Sequence, residues 1–176
     1  YKKNYKINNE ITFVYSGTLK EDYKSLEMIR LFKELLKEYK FRCIIIYGKV
    51  KKDRSDNYYK DLLKEVNMDG DIIFKSNLGE LERRKIIIES DYGIVIHSES
   101  TDYKQQSTKL VEYLSLGCNP IVYFTSLNVG YSDIYFRSIG ELNNIIRDIL
   151  DGLCEYKINL TKLDYHLVNN NHHIFD

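Results

Sequence analysis

Five short runs of β-branched, aliphatic and aromatic residues punctuate this 176-residue chain, and each is followed by a stretch long enough to make a helix. They fall at residues 11–15, 43–47, 72–74, 93–97 and 121–124. Runs that are apolar at consecutive positions suit strands buried on both faces. Between the first two, Leu26, Ile29, Phe32, Leu35 and Leu36 recur at helical spacing, which predicts a helix over 23–39. Further helices are expected at 57–66, from Asn77-Leu78-Gly79-Glu80, which has the form of a capping box, to Glu89, and over 139–151 after a short strand near 134–136. This alternation specifies an α/β domain: a doubly wound parallel sheet with helices on both faces and right-handed crossovers. The expected strand order is 3-2-1-4-5-6. In that order strands one and four meet at the switch point, outside whose carboxyl ends the ligands of open parallel sheets gather.

Two segments meet at that point. The first strand runs into Ser16-Gly17-Thr18-Leu19, read as a loop in which a glycine lets the backbone approach a ligand, with Lys20 and Lys24 just beyond. The second is Ser107-Thr108-Lys109-Leu110-Val111-Glu112-Tyr113-Leu114-Ser115-Leu116-Gly117-Cys118-Asn119-Pro120, a helix feeding the fifth strand. Ser107 is a suitable N-cap. Leu110, Val111, Leu114 and Cys118 fall on one face, Thr108, Glu112 and Ser115 on the other, and Gly117 with Pro120 marks the stop. A helix start leaves backbone N–H groups unpaired at the positive end of its dipole, so the turn at 107–109 is a phosphate seat to which Lys109 adds a full charge. Glu112 lies one turn on, where a carboxylate can accept hydrogen bonds from sugar hydroxyls beside that phosphate. An amphipathic helix with a serine cap has this form whether or not it binds anything, so spacing alone leaves the function open.

Resemblance carries it further. Ser-Thr-Lys-Leu-Val-Glu-Tyr-Leu-Ser-Leu-Gly-Cys-Asn-Pro-Ile-Val resembles the donor-site segment of GT-B glycosyltransferases of the retaining, group 1 kind, whose pattern reads roughly Ser/Pro-x-Lys-x-x-Glu-Tyr-x-x-x-Gly-x-Pro-Val. Ser16-Gly17-Thr18-Leu19 is similar to the first strand-loop of the GT-B C-terminal domain. The resemblance spans residues 11–150 and implies a Rossmann-like domain that binds a nucleoside diphosphate sugar, UDP- or GDP-linked, as substrate, with no metal or cofactor. It implies that Gly17, Thr18, Lys24, Ser107, Thr108 and Lys109 hold the donor diphosphate and that Glu112 holds the ribose. His97, at a strand's carboxyl end, and Glu99 and Asp102 in the loop after it are the candidate donor-sugar contacts. The sequence departs from the family at two points. The family more often has Gly-Arg where this chain has Gly17-Thr18, which leaves the charge to Lys20 or, preferably, Lys24. An acidic residue commonly lies eight positions before the glutamate, and here that position is Lys104.

These residues give an expected function: the donor half of a glycosyltransferase moving a sugar from a nucleoside diphosphate sugar to an acceptor hydroxyl, in bacterial-type polysaccharide or glycoconjugate synthesis. Residues 1–10 are read as a linker from a missing N-terminal acceptor domain, 11–152 as the nucleotide-sugar domain and 153–176 as a C-terminal extension, so the isolated chain is expected to be inactive. The alternative is a non-catalytic nucleotide-sugar-binding or assembly domain, which Lys104 and Thr18 favour. An unrelated doubly wound receiver ranks last, because no acidic cluster ends the first strand.

Composition narrows the partners. Lys plus Arg and Asp plus Glu both number 26, so no basic field exists to hold nucleic acid. Cys43, Cys118 and Cys154 are odd in number and lack C-x-x-C spacing, which argues against a disulfide framework or zinc site and for a reducing, cytoplasmic compartment. No apolar run approaches the length of a membrane span, so any membrane association of the full-length protein is expected to be peripheral, at the inner face. Asp69-Gly70-Asp71 could suggest a metal site, but it lies where a helix enters a strand, at the amino-terminal edge of the sheet, and reads as a turn. The adjacent His172 and His173 near the terminus are weak evidence for a metal.

Overall fold

The computed structural model describes residues 10–52, 55–68, 70–96, 108–124 and 132–154. They form β1 (Thr12–Leu19), a short 3-10 turn (Glu21–Tyr23), α1 (Ser25–Glu38), β2 (Arg42–Val50), α2 (Asp56–Asn67), β3 (Ile72–Ser76), α3 (Glu80–Glu89), β4 (Tyr92–Val95), α4 (Thr108–Ser115), β5 (Asn119–Tyr123), β6 (Tyr135–Phe136) and α5 (Ile139–Leu150). The six strands lie in the order β3-β2-β1-β4-β5-β6, all pairs parallel, which is the expected doubly wound arrangement. At its centre β1 pairs with β4 in the register Phe13 to Tyr92, Val14 to Gly93 and Tyr15 to Ile94.

Strand periodicity divides the core into two layers. Phe13, Tyr15, Cys43, Ile45, Ile94 and Ile121 point to one face, where α1, α2 and α5 cover them with Leu26, Ile29, Phe32, Leu62, Val66, Leu142 and Ile146. Val14, Ile44, Ile46, Val95 and Val122 point to the other, beneath Ile87 of α3 and Leu110, Tyr113 and Leu114 of α4. Burying each such side chain contributes about 1.5–3 kcal/mol, which explains why the strands are apolar at consecutive positions. The first layer centres on Phe13, whose ring centroid lies 5.8 Å from Phe32, 5.5 Å from Phe41 and 5.4 Å from Tyr92.

Several local expectations are corrected. β1 continues through Ser16, Gly17 and Thr18 to Leu19, with a register shift against β2 after Gly17, so the expected loop is strand. The shift lets Leu19 pair with Val50, because β2 also outruns its expected end and passes through Gly48. α1 begins at Ser25, two residues later than expected, because the 3-10 turn intervenes and Lys24 takes a left-handed conformation, φ 47°. Ser25 is fully buried and its Oγ accepts from the Lys20 N–H at 3.0 Å, fastening the end of β1 to the start of α1. The capping box at residue 77 does not form: Asn77 is left-handed, φ 55°, Gly79 is the N-cap and Glu80 is already helical. On α4, Val111 is 40% exposed and Tyr113 takes its place in the core.

Tyr113 is the element that fixes α4 to the sheet. Its ring lies against Gly93 of β4, so closely that a Cβ on Gly93 would stand 2.5 Å from Cδ2 of the ring. Its hydroxyl accepts a hydrogen bond from the backbone N–H of Ser16, on the next strand, at 2.9 Å. Burial pushes the Tyr113 phenol well above its ordinary range, so it remains protonated. The helix closes at Gly117, φ 75°, with the Cys118 N–H returning to the Tyr113 carbonyl at 2.9 Å.

Gly93→Ala is therefore expected to destabilise the chain by about 1–3 kcal/mol through overpacking. Gly48→Ala, where an added Cβ meets nothing within 4 Å, should change the urea midpoint little. Tyr113→Phe keeps the ring and removes the acceptor of a buried N–H, a loss of about 1–3 kcal/mol. Hydrogen exchange should show Ser16 losing protection in that variant. Unchanged exchange at Ser16 would refute the role assigned to the hydroxyl.

Candidate functional site

The site is built where β1 ends and α4 begins. Because β1 and β4 are adjacent, the strand end at 16–19 and the first turn of α4 share the carboxyl edge of the sheet. The link is direct: Lys109 Nζ donates to Ser16 Oγ at 3.4 Å across 93 residues of sequence. Ser16 is buried, with its N–H bound to Tyr113 and its hydroxyl turned to the lysine.

Glu112 is the hub of the polar side chains. One carboxylate oxygen accepts from Lys109 Nζ at 3.1 Å, and the other accepts from Nη1 of Arg83 on α3. The Glu112 side chain is only 17% exposed, so it is held between two cations at the rim of the sheet and not spread over a solvated helix face. Thr108 is exposed at the first described position of α4. The arrangement presents a lysine ammonium and a buried hydroxyl at the carboxyl end of β1, with a carboxylate paired to two cations beside them. Chemically, this set can bind an anion and accept hydrogen bonds from its hydroxylated neighbour.

The remaining proposed residues fall as follows. The Gly17 Cβ position is occupied from within the strand: a Cβ would lie 2.8 Å from the Tyr15 hydroxyl, which donates to the Thr18 carbonyl at 2.8 Å. A packing demand thus accounts for glycine there, and Thr18 contributes its carbonyl to that demand. Lys24 sits in the left-handed turn that opens α1, just beyond the carboxyl end of β1, and α1 covers the face of the sheet opposite to α4. Lys20, the other candidate cation, lies 3.5 Å from Asp22 and over the Tyr23 ring at 4.2 Å from its centroid. His97, Glu99, Asp102, Lys104 and Ser107 lie outside the described residues, as does Asp69. Asp71 is exposed in the turn before β3.

Sequence reasoning missed Arg83, Ser16 and both contacts of Tyr113, its ring against Gly93 and its hydroxyl on the Ser16 N–H. Arg83 stands in the run Glu82-Arg83-Arg84-Lys85, which resembles any solvated charge cluster. Its partner is 29 residues away, and only the packing of α3 and α4 on one face of the sheet brings the two together.

The sequence matches no protein-family model and no curated protein. Solved structures share the fold. A C-terminal domain of a glycosyl transferase group 1 family protein (LpcC) from Francisella tularensis superposes with a TM-score of 0.61 at 18% identity, over 93% of this chain and 87% of that domain. HepE from Anabaena, in complex with UDP-glucose, gives 0.63 at 14% identity over 89% of this chain. OtsA gives 0.60 at 12% identity over 91% of this chain. The chain spans 44% of HepE and 39% of OtsA. A putative UDP-N-acetylglucosamine 2-epimerase from Listeria monocytogenes also matches, with a TM-score of 0.57 at 9% identity, over 96% of this chain and 47% of that one. The chain thus has the Rossmann-like fold of the C-terminal domain of GT-B glycosyltransferases.

Proposed function

We propose that this chain is the donor-binding half of a glycosyltransferase that takes its sugar from a nucleoside diphosphate sugar. The observation that carries the reading is the meeting of Lys109 and Glu112 with Ser16 at the carboxyl end of β1, at the switch point between β1 and β4. The superposition with a UDP-glucose complex supports the choice of ligand class.

In the proposed reaction the bond from the anomeric carbon to the diphosphate breaks as one from that carbon to the acceptor oxygen forms, and the acceptor hydroxyl gives up its proton. Negative charge builds on the leaving diphosphate. Lys109, which stands beside the end of β1, would stabilise it together with the N–H groups at the start of α4 and Lys24, and such groups act strongly where water is excluded. Glu112 would accept from ribose hydroxyls, fixing the register of the nucleotide on the sheet edge. Acceptor positioning and water exclusion would come from a second domain across the cleft, with Glu99 or Asp102 as donor-sugar contacts. A cytoplasmic place in polysaccharide or glycoconjugate synthesis belongs to the same proposal. The second reading, a nucleotide-sugar-binding domain without transfer, is favoured by Lys104 standing where the family has an acidic residue.

Titration with UDP and GDP is expected to shift amides at residues 16–24 and 97–112, with affinity unchanged by a chelator. Saturating nucleotide without shifts in either segment would defeat the proposal, and a strict need for manganese would defeat its metal-free form.

Glu112→Ala is expected to weaken binding by on the order of tenfold, since a hydrogen bond to a charged group contributes roughly 1.5–3 kcal/mol. A cycle with 2'-deoxy and 3'-deoxy forms of the nucleotide separates ribose contact from other effects. At least one deoxy form should bind the native chain more weakly, and that penalty should largely vanish in the variant. Deoxy penalties that persist unchanged would remove Glu112 from the ribose site.

A further inference from the structure

We infer that Arg83 is a positioning residue of the donor site: by neutralising Glu112 from α3, it releases Lys109 to a bound diphosphate. The inference rests on the nucleotide reading above.

Glu112 is contacted by two cations that differ in kind. Arg83 reaches one carboxylate oxygen and Lys109 the other, and their side chains are 24% and 34% exposed. A guanidinium is planar and persistently charged, suited to holding a carboxylate in place, whereas an ammonium on a four-carbon stem is a point charge that can be re-aimed. The two also point differently. Lys109 already reaches past Glu112 to Ser16 Oγ at the carboxyl end of β1, whereas the side-chain partner described for Arg83 is Glu112.

Charge balance gives the pair its consequence. Lys109 and Glu112 alone would cancel, and a lysine held by a carboxylate 3.1 Å away offers little field to an incoming diphosphate. With Arg83 the group carries one net positive charge, and Lys109 can leave Glu112 without stranding a partly buried carboxylate. The carboxylate has about four lone-pair sites, of which the two cations use two, so sites remain for sugar hydroxyls while Arg83 stays in place.

Calorimetry on the 176-residue chain with UDP, UMP, GDP and GMP tests this, using the base that binds more tightly. The readout is the ratio of Kd for the monophosphate to Kd for the diphosphate, in which contacts to ribose and base cancel. Arg83→Gln is expected to lower that ratio by about tenfold, because Glu112 then holds Lys109. Arg83→Lys should keep most of it. The double variant Arg83→Gln/Glu112→Gln should return it toward the wild-type value, since no carboxylate remains to hold the lysine. A ratio unchanged in Arg83→Gln overturns the inference, and so does failure of the double variant to restore it, which would instead mean that Arg83 touches phosphate itself. Glu112→Gln alone should leave the ratio at or above wild type, and a lowered ratio there also overturns the inference; should Arg83→Gln not fold, Arg83→Met, which keeps the apolar stem and removes the charge, is read in its place. Absence of any UDP or GDP binding to the wild-type chain defeats the nucleotide reading, whereas binding with an Arg83-independent ratio defeats only this inference.

Discussion

The contact of Tyr113 with two adjacent strands is the constraint on which the candidate site depends. Its ring needs a residue without a Cβ beneath it, which Gly93 supplies on β4, and its hydroxyl needs a donor, which the Ser16 N–H supplies on β1. Neither interaction is available to a helix that slides or rotates on the sheet, because the ring would meet a side chain and a buried N–H would lose its acceptor. Lys109 and Glu112 lie four and one residues before Tyr113 on the same short helix, so this one side chain determines where the charged groups stand relative to the end of β1.

On that frame the site is electrostatic in design. The carboxylate that would repel a diphosphate is bracketed by cations before any ligand arrives, and the lysine nearest β1 is shared between Glu112 and the Ser16 hydroxyl. Preorganisation of this kind lowers the reorganisation needed when charge develops on a leaving group. The same fold occurs in a glycosyl transferase group 1 domain and in a putative UDP-N-acetylglucosamine 2-epimerase, so chemistry has to be argued from the site and not from the sheet.

Much of the architecture was legible because strand and helix periods differ. Consecutive apolar residues at 43–46 have to be buried on both faces, and the stripe from Leu26 to Leu35 has to lie on one, which leaves a two-layer cover on a parallel sheet. Boundaries were less legible. Ser16-Gly17-Thr18 has turn composition and predicts an end to β1 at Tyr15, yet pairing with β2 carries the strand on to Leu19. Asn77 and Glu80 have capping-box spacing, but the left-handed backbone at Asn77 puts the N-cap at Gly79, and helix starts are decided by such local geometry as much as by residue type.

The sequence by itself determined the doubly wound order and the placing of Thr108 and Glu112 one turn apart on α4, since residues four apart on a helix are neighbours whatever the surroundings. Tertiary structure alone decided which distant groups join them. Ser16 lies 97 residues from Tyr113 and Arg83 lies 29 from Glu112, and no local pattern encodes those distances. They become contacts because β1 and β4 pair in one register and because α3 and α4 pack on the same face, and both depend on how the whole sheet buries its two apolar surfaces.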